Sequence, residues 1–515
     1  MLMNTYESRL ADLRKQLVKQ GLDGFIIPIS DEHMSEYVGA YAQRLEWLTG
    51  FGGSAGTAVV LAEKAAIFVD GRYTLQVRDQ VDSRFYAYEN VPQTSPAAWL
   101  ARNAGKGARI GFDPWLHGQP WVDATGEALT EVGAALVAVA DNPVDAVWTD
   151  QPERSLAKAL VHPVALAGES SEAKRGAVSE WLDAQTCDAV VISALDSLAW
   201  LLNLRGSDVA RTPVTLAHVI AHADGTADVF MDTQKITPTV AAHLGNAVRI
   251  KAPEEFVPML ADLAGKRVAV DPERSVSAIY AALKGAELVE RRDPTILPKA
   301  CKNPVEQAGQ RAAQARDGAA VSRFLCWLIG GLDGAAVAGG VDEISAAEKL
   351  HQCRRECGDL RDLSFDTISG AGPNGAVVHY RVSEETNRKL QPNSIYLVDS
   401  GGQYPDGTTD ITRTVWVGPD APSAEVKDRF TRVLKGHIAL ARAVFPAGTN
   451  GSQLDTLARQ FLWAAGLDYA HGTGHGVGSF LSVHEGPQRI AKASGGQAGT
   501  GQELLAGMIL SNEPG

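Results

Sequence analysis

One order of elements occurs twice in the first 300 residues of this chain. Each copy has a helical segment, then an apolar run, then a Trp-Leu sequence that ends in Gly-Ser, EWLTGFGGS in the first and AWLLNLRGS in the second. Each copy later contains an apolar run that ends in Asp-Pro, within ARIGFDP and RVAVDP. Apolar runs bounded by glycine and alternating with helical stretches indicate α/β structure. The sequence therefore predicts duplication of one α/β unit.

A third block begins near Lys302. It opens with a long helical stretch over 303–329, a turn at GGLDG and another helix through VDEISAAEKLHQCRREC. The rest of the block is a mixture of strand and loop signals, typical of α+β structure. The 515 residues exceed one hydrophobic core, because domains usually have about 100–200 residues. With a polar, proline-containing boundary at VWTDQPERS, we expect domains over 1–150, 151–303 and 304–515.

The composition excludes several classes of protein. A formal charge of −13, from 48 basic and 61 acidic residues, argues against a broad basic face for nucleic acid. The N-terminus lacks the apolar core of a signal peptide, and no run of about 18 apolar residues occurs. We expect a cytoplasmic protein with no membrane partner. Cys353 and Cys357 could suggest half of a zinc site, but no second pair has the spacing, so the sequence predicts reduced structural thiols.

Asp399 and Asp410 lie eleven residues apart in YLVDSGGQYPDGTTDITRT. Alternating residues before Asp399 and after Asp410 predict two strands, and GGQYPDG between them is rich in residues that reverse a chain. An antiparallel pair would place the two carboxylates side by side. Two buried like charges cannot both stay ionised without a cation between them, which indicates a metal. The alternative is that either Asp caps a hairpin through its own backbone.

Histidines and one glutamate extend this candidate site. His379 follows two valines in GPNGAVVHYR, which predicts a strand, and HGTGHGVGSFLSVHEGP contains His471, His475 and His484. Glu513 shares one face of a predicted strand with Ser511. The glycines fit neither a nucleotide-binding loop nor the helix of an H-x-x-x-H zinc site. Asp, Glu and His together suit a divalent ion such as manganese, cobalt or zinc, although a histidine among glycines is often only structural.

The motifs DSG, DGTTDITRT, GTGHGVG, VHEGP and NEPG, in this order, resemble metallopeptidases with the pita-bread fold. The resemblance is greatest to the cytosolic three-domain form of Xaa-Pro aminopeptidase (aminopeptidase P). It extends over nearly the whole chain through GFGGSAGTA, DGRY, WTDQPERS, ALDSLAWLLNLRGSD, GPNGAVVHY and ETNR. The resemblance implies two tandem creatinase-like α/β domains, over 1–150 and 151–303, and a pita-bread catalytic domain over 304–515.

The same resemblance implies a role for each site residue. Asp399 would bind one of two metal ions, Asp410 would bridge both, and His475 would bind the second. Glu513 would be a further ligand that accepts a proton from the bridging water. His379 and His484 match the family's non-ligand histidines, which face the scissile carbonyl and the developing tetrahedral intermediate. The remaining predictions for substrate binding are His471, which matches a position that lines the site, and Trp463 and Tyr380 as apolar walls.

The implied activity is release of the N-terminal residue from peptides with proline in the second position, through a hydroxide activated by two divalent ions. Mn²⁺ is the expected ion, with Co²⁺ or Zn²⁺ as alternatives, and a homodimer is expected. Two alternatives stay open. Xaa-Pro dipeptidases share the ligand set but usually carry one N-terminal domain, and non-catalytic pita-bread modules lose metal ligands.

The family's fifth ligand, a Glu in an R-x-E strand downstream of NEPG, has no counterpart before Gly515. We therefore expect the catalytic domain to be incomplete at its C-terminal end. The alternatives are a truncated sequence of an active enzyme, which we favour, or a natural short product. In either case we expect the 515-residue polypeptide to hydrolyse Xaa-Pro peptides with manganese much more slowly than a chain with the fifth ligand.

Overall fold

The computed structural model describes residues 5–91, 93–330, 340–493 and 499–515. The chain forms two compact units. The N-terminal unit consists of Met1–Val161, Glu169–Ala210 and Val214–Thr295, and the C-terminal unit of His162–Gly168, Arg211–Pro213 and Ile296–Gly515. Most of the turn predicted at GGLDG (330–334) lies outside the described residues.

The N-terminal unit contains two six-stranded sheets with the same topology. The first consists of β1 (Gly24–Pro28), β2 (Gly56–Leu61), β3 (Ala65–Val69), β4 (Ala87–Asn90), β5 (Arg109–Phe112) and β6 (Ala135–Ala138). Two-residue strands β7 (Leu160–Val161) and β9 (Leu204–Arg205) pair with each other. The second sheet consists of β8 (Ala189–Ile192), β10 (His218–His222), β11 (Ala227–Phe230), β12 (Val248–Lys251), β13 (Arg267–Val270) and β14 (Glu287–Glu290).

The strand orders are β4-β3-β2-β1-β5-β6 and β12-β11-β10-β8-β13-β14. In each sheet the first strand in sequence pairs antiparallel with the second and parallel with the fifth. The remaining pairings also correspond, one antiparallel and two parallel in each sheet. The repeat in the sequence is thus a repeat of a whole sheet.

Helices of the N-terminal unit carry the apolar faces that the sequence pattern predicts. In α1 (Tyr6–Lys19), Leu10, Leu13 and Leu17 are buried in the core at helical spacing, and Thr5 caps the helix. Burial of each leucine side chain is worth about 1.5–3 kcal/mol. The helices are α1 (Tyr6–Lys19), α2 (Arg44–Thr49), α3 (Gln76–Gln80), α4 (Pro96–Asn103), α5 (Gln119–Glu131), α7 (Ser171–Gln185), α8 (Leu195–Leu202), α9 (Pro238–Leu244), α10 (Phe256–Ala261) and α11 (Ser277–Ala282).

The C-terminal unit packs helices against small sheets. Its helices are α6 (Val164–Ala167), α12 (Ile296–Ala300), α13 (Pro304–Ile329), α14 (Glu343–Cys357), α15 (Ala424–Ala441) and α16 (Gly451–Trp463). Its strands are β15 (Asp362–Leu363), β16 (Ile368–Ala371), β17 (Ser394–Ser400), β18 (Gly402–Tyr404), β19 (Gly407–Thr408), β20 (Ile411–Val417), β21 (Gly474–Gly476) and β22 (Glu485–Ile490). In the described part of this unit the strands form the sheets β16-β17-β20, β15-β18-β19 and β21-β22. Short 3₁₀ helices occupy Ala40–Ala42, Thr233–Lys235, Pro253–Glu255 and Gly372–Ala376.

Both long helices predicted in the third block are present. Asn303 caps α13 and exchanges hydrogen bonds with Glu306, and Asp342 caps α14 in the same way with Ser345. Cys353 is buried in the core beside α13, and all five cysteines are free thiols. Among the described residues, no helix is long and apolar enough to cross a membrane.

Two strands predicted around site residues are wrong. His379 lies in a turn after the 3₁₀ helix Gly372–Ala376, because the turn-forming sequence Gly-Pro-Asn-Gly outweighs the two valines. Residues 511–513 form no strand; the Ser511 amide donates to the His475 carbonyl and the Glu513 amide to the Thr473 carbonyl. The segment is extended along β21, but these bonds do not make a continuous ladder.

Candidate metal centre

The predicted hairpin brings Asp399 and Asp410 to one end of a sheet. Strands β17 and β20 are antiparallel, as predicted, and Asp399 pairs with Thr412. Asp410 lies just before β20. The residues between the strands form more than a simple turn, because β18 and β19 make a second hairpin that reverses at Pro405 and Asp406.

Glycines on both sides of His475 allow other backbone segments to approach β21. A Cβ at Gly474 would lie 2.2 Å from the carbonyl oxygen of Ser511, and one at Gly476 would lie 2.2 Å from that of Glu485. Real Cβ atoms do not come this close to an oxygen, so a side chain at either position would displace a neighbouring segment. The glycine-rich sequence thus packs the Glu513 segment and β22 directly against the strand of His475.

Asp410, His475 and Glu513 converge at one point. Their ligand atoms lie within 4.8 Å of one another. The Nε2 of His475 is 3.2 Å from Asp410 Oδ2 and 3.0 Å from Glu513 Oε1. The Ser511 hydroxyl accepts a hydrogen bond from the His475 amide and donates one, 2.6 Å long, to Glu513 Oε1. Three of the four predicted metal ligands therefore meet with their side chains already oriented.

The tautomer of His475 is fixed by its other ring nitrogen. Its Nδ1 is 2.8 Å from the carbonyl oxygen of Gly476. A carbonyl oxygen only accepts hydrogen bonds, so Nδ1 carries the proton. In the neutral ring, Nε2 then presents a lone pair to two carboxylates. This arrangement repels unless a proton or a metal ion lies between them, and an imidazole held through its second nitrogen is the usual form of a metal ligand.

The pKa values of His475, Glu513 and Asp399 are shifted because several carboxylates lie close together around one imidazole. Burial alone would lower the pKa of His475, but its hydrogen bonds to Asp410 and Glu513 raise it well above its ordinary value. Burial alone would raise the pKa of Glu513, but the interaction with His475 lowers it to about 2. Burial, together with the charges of Asp410 and Glu513, raises the pKa of Asp399 well above its ordinary value.

Asp399 has an unsatisfied oxygen. Its Oδ1 is shielded from solvent and has no hydrogen-bond partner in the described part of the chain. A buried carboxylate oxygen without a donor or cation costs free energy. Asp399 does not belong to the group of Asp410, His475 and Glu513, whose ligand atoms fall within 4.8 Å of one another. The charges of that group nevertheless shift the pKa of Asp399. Its free oxygen and the three converging side chains are what a second cation position requires, so the residues present fit a two-metal site.

The other predicted residues lie at different distances from this point. The ring of His484 stands edge-on to that of His475, with centroids 4.4 Å apart. His471 is half-buried, with its Nδ1 on the Gly472 carbonyl, and His379 is half-buried in its turn. Trp463, the last residue of α16, is 43% exposed, and Tyr380 is buried with its hydroxyl on Glu343. The substrate roles of these residues stay predictions.

Residues that the sequence analysis missed hold the site segments in place. Arg459 pairs with Asp455 on α16 and donates to the carbonyls of Tyr469 and His471. Asp455 also accepts a hydrogen bond from Thr473. The i,i+4 spacing of Asp455 and Arg459 predicts an ion pair on a helix. Their hydrogen bonds to residues 469–473 could not be predicted, because such contacts produce no pattern in the sequence.

A second buried pair supports Asp410. Arg354 on α14 pairs with Asp317 on α13, and both side chains are fully buried. Asp317 also accepts hydrogen bonds of 2.8 Å from the hydroxyls of Tyr404 and Thr409. Since Thr409 directly precedes Asp410, the two long helices fix the backbone that presents this carboxylate. Asp317 and Arg354 are 37 positions apart in the sequence, so their pairing leaves no local sequence signal.

Known proteins resemble the chain over its whole length. Metallopeptidase family M24 matches residues 308–515, and the Creatinase/Prolidase N-terminal domain matches twice, at 9–159 and 150–306. "Probable Xaa-Pro aminopeptidase P" of Aspergillus clavatus is 42% identical over 528 residues, covering 100% of this chain and 79% of the relative. The protein of the same name from Coccidioides posadasii (strain RMSCC 757 / Silveira) is 41% identical over 98% of this chain and 84% of its own length. The chain belongs to the Xaa-Pro aminopeptidase family of M24 metallopeptidases.

Solved structures agree with membership of the Xaa-Pro aminopeptidase family. The crystal structure of X-prolyl aminopeptidase from Caenorhabditis elegans, a cytosolic enzyme with a di-nuclear active site, superposes with a TM-score of 0.92 and 35% identity. The match covers 99% of this chain and 85% of the other. Dipeptidase PepE from Mycobacterium ulcerans matches with a TM-score of 0.53 and 27% identity over 68% of this chain and 89% of its own. The predicted fold class is confirmed: creatinase N-terminal domains are followed by a pita-bread domain.

Proposed function

We propose that this protein is a metal-dependent exopeptidase that removes the N-terminal residue from peptides with proline in the second position. One observation carries the metal dependence. Asp410 and Glu513 converge on a single imidazole, while Asp399 beside them has a shielded oxygen without a partner. The names of the relatives in Aspergillus clavatus and Coccidioides posadasii and of the Caenorhabditis elegans enzyme support the preference for Xaa-Pro peptides.

Two divalent cations would be held by four residues: Asp399, Asp410, His475 and Glu513. The dinuclear site of the Caenorhabditis elegans enzyme supports the number of ions. Oxygen ligands outnumber nitrogen in this set, which suits Mn²⁺, with Co²⁺ and Zn²⁺ as alternatives. When bound, such ions lower the pKa of water and polarise the scissile carbonyl.

The protein's own groups supply the remaining steps. Glu513 is ionised at neutral pH and can take the proton that water loses during attack. His484, edge-on to His475, and His379 are proposed to donate hydrogen bonds to the carbonyl oxygen as negative charge develops on it. One such donor is typically worth about 3–4 kcal/mol. His471 and Trp463 are proposed to line the site for the substrate.

A cytoplasmic location and a homodimer belong to the same proposal. The location is supported by the description of the Caenorhabditis elegans enzyme as cytosolic. The homodimer follows from the family resemblance. Gel filtration with light scattering tests it directly.

The second candidate function is an Xaa-Pro dipeptidase. It is favoured less, because PepE from Mycobacterium ulcerans covers 68% of this chain whereas the Caenorhabditis elegans enzyme covers 99%. A third candidate, a non-catalytic module, is disfavoured because Asp399, Asp410, His475 and Glu513 are all present.

The test is a peptidase assay of the full-length protein after chelation and reloading with Mn²⁺, Co²⁺ or Zn²⁺. Matched substrates are an Xaa-Pro-Yaa tripeptide, the same tripeptide with alanine for proline, and an Xaa-Pro dipeptide. We expect metal-dependent hydrolysis of the first at far higher kcat/KM than of the others. Preference for the dipeptide would instead establish a dipeptidase, and no hydrolysis with any ion would overturn the proposal. A 515-residue polypeptide assayed beside a chain with the R-x-E strand tests the need for the fifth ligand, which stays a prediction.

A further inference from the structure

Three charged side chains are buried together outside the metal ligands. Lys299 Nζ is 3.0 Å from Glu485 Oε2, and Lys302 Nζ contacts Glu485 Oε1. The three side chains are 2%, 1% and 0% exposed for Lys299, Lys302 and Glu485. We call this group the lysine clamp. Burial of each charge costs several kcal/mol, and apolar residues of similar size often stabilise a fold as well or better. Stability alone therefore does not explain the group.

The clamp holds the carboxylate at both ends. Each lysine contacts a different oxygen of Glu485, so the carboxylate cannot rotate about its terminal bond without breaking one contact. One lysine would be enough to balance the charge, but it would leave the second oxygen free to move. Two lysines, one on each oxygen, thus fix the orientation of the carboxylate.

Glu485 links the two histidines of the centre. It directly follows His484 and pairs through its backbone with Gly476, which directly follows His475. The absence of a side chain at Gly476 permits this close approach, because a Cβ there would lie 2.2 Å from the Glu485 carbonyl oxygen. The position of Glu485 therefore determines how the His484 ring stands against that of His475, 4.4 Å away at 80°.

Lys302 also connects the clamp to the segment of Glu513. Its amide donates to the carbonyl of Gly507, and the preceding Cys301 forms an isolated bridge with Met508. Gly507 has a φ of +92°, which favours glycine at this contact. The segments that carry His475, His484 and Glu513 thus meet at one buried group.

We propose that Lys299, Lys302 and Glu485 are positioning residues that orient the His484 imidazole for the reaction. This inference rests on the proposed function, in which His484 donates a hydrogen bond to the developing oxyanion. The clamp contacts no reacting atom in this role. It acts through the backbone of residues 484–485.

The central variant is K299M/E485L/K302M, which replaces all three charges by apolar residues. We expect it to fold and to bind metal like the unaltered protein. We expect kcat to fall about 10–100-fold, the range typical of substitutions behind a metal site, with little change in KM. In a His484→Gln background the triple substitution should lower kcat much less, because the two changes act on one interaction.

A buried pair in the N-terminal unit supplies the matched control. Lys235 Nζ lies 2.6 Å from Asp208, and these side chains are 3% and 0% exposed. Lys235→Met removes a similar buried ammonium and should lower the melting temperature without changing kcat. The single variant Lys299→Met, which keeps the Lys302 contact, covers the case in which the triple variant does not fold.

A spectroscopic measurement of the His484 ring tests the positioning role independently of peptidase activity. In protein with ¹⁵N-labelled histidine, the His484 ring signal is identified by its loss in His484→Gln. We expect the clamp variants to shift or broaden this signal and Lys235→Met to leave it unchanged. An unperturbed His484 signal, or losses of kcat that add fully to His484→Gln, would overturn the inference. If the unaltered protein hydrolyses no Xaa-Pro peptide, the proposed function fails while the spectrum still decides the positioning role.

Discussion

Buried carboxylates of the C-terminal unit differ in what neutralises them. Away from the metal centre, three of them have basic side chains against them: Asp317 has Arg354, Asp455 has Arg459, and Glu485 has Lys299 and Lys302. At the centre, Asp410 and Glu513 share the imidazole of His475. Basic side chains of the protein thus neutralise the carboxylates that stabilise the fold. Asp410 and Glu513 share one imidazole, an arrangement expected where metal ions from solution provide the remaining positive charge.

Hydrogen bonds can also compensate for the burial of a carboxylate, as they do at Glu343. Its two oxygens accept from the amides of Ala371 and Arg388, from the Asn374 side chain and from the Tyr380 hydroxyl. These bonds also fix the two ends of the segment that contains His379. Asp399 Oδ1 lacks even this compensation among the described residues. The comparison predicts that the two groups of carboxylates respond oppositely to substitution.

The largest effect should come from the centre itself. Asp410→Asn removes a side chain that the family resemblance assigns to both cations. We expect kcat/KM for an Xaa-Pro-Yaa peptide to fall at least about 1000-fold, since a catalytic metal supplies several kcal/mol and each 1.36 kcal/mol is tenfold. Asp406→Asn, four residues earlier and paired with Arg316, is the control and should keep its activity. Full activity of Asp410→Asn, assayed with its metal content, would contradict the assignment.

The second prediction concerns the stability of the metal-free protein. Asp317→Asn leaves Arg354 buried and unpaired, which should cost about 3–5 kcal/mol. Asp399→Asn removes a buried charge whose repulsion by Asp410 and Glu513 outweighs its attraction to His475, so in chelator it should cost nothing or stabilise. Urea unfolding followed by circular dichroism measures both variants. Equal destabilisation would mean that the favourable interactions of Asp399 with Thr412 and His475 outweigh its repulsion and burial, and that the contrast is wrong.

The third prediction is stabilisation by metal. An ion that binds only the folded protein at 100 times its Kd adds about 2.7 kcal/mol. We expect Mn²⁺ to raise the melting temperature of the unaltered protein and of Asp317→Asn by similar amounts. Asp399→Asn should lose most of this gain. A melting temperature that Mn²⁺ leaves unchanged in the unaltered protein would weaken the case for cations as the missing charge.

The sequence predicted the parts of the centre that depend on local pattern. Alternation around Asp399 predicted a strand that the structure places at Ser394–Ser400, antiparallel to the strand after Asp410. It could not predict that Asp399 pairs with Thr412, because β18 and β19 add a hairpin between the two strands. Register depends on such insertions and not on the period of two.

Contacts between residues far apart in the chain could not be predicted from the sequence, for a different reason. Lys299 and Glu485 are separated by 186 residues, and the pairing of two buried charges leaves no periodic signal in either segment. The strand at His379 was predicted from the two valines before it, and the strand at Glu513 from its alternation with Ser511. So few residues do not outweigh neighbouring turn signals. The residue types of the site were thus predictable, while the groups that orient them were not.

The smallest effect is the pH dependence of stability, and its sign distinguishes the two kinds of carboxylate. Glu32, in the N-terminal unit, is buried against Arg154 and the Tyr41 hydroxyl. Burial alone would raise the pKa of Glu32, but the charges of His33 and Arg154 lower it from 4.5 to about 2. A lowered pKa stabilises the fold above the unfolded value of 4.5, and this contribution is lost as the pH falls towards 2. Between pH 7 and pH 4 the loss should be about 1 kcal/mol.

The raised pKa of Asp399 has the opposite consequence. The folded state holds its proton to a higher pH than the unfolded chain does, so without metal this group destabilises the fold increasingly as the pH rises from its ordinary value through the raised one. In chelator, Glu32→Gln should therefore flatten the loss of stability between pH 7 and pH 4, whereas Asp399→Asn should steepen it. Unfolding free energies at the two pH values measure both slopes. If both substitutions changed the slope in the same direction, a carboxylate with its own cation would not differ from one that lacks it, and the inference of metal from missing charge would lose its physical basis.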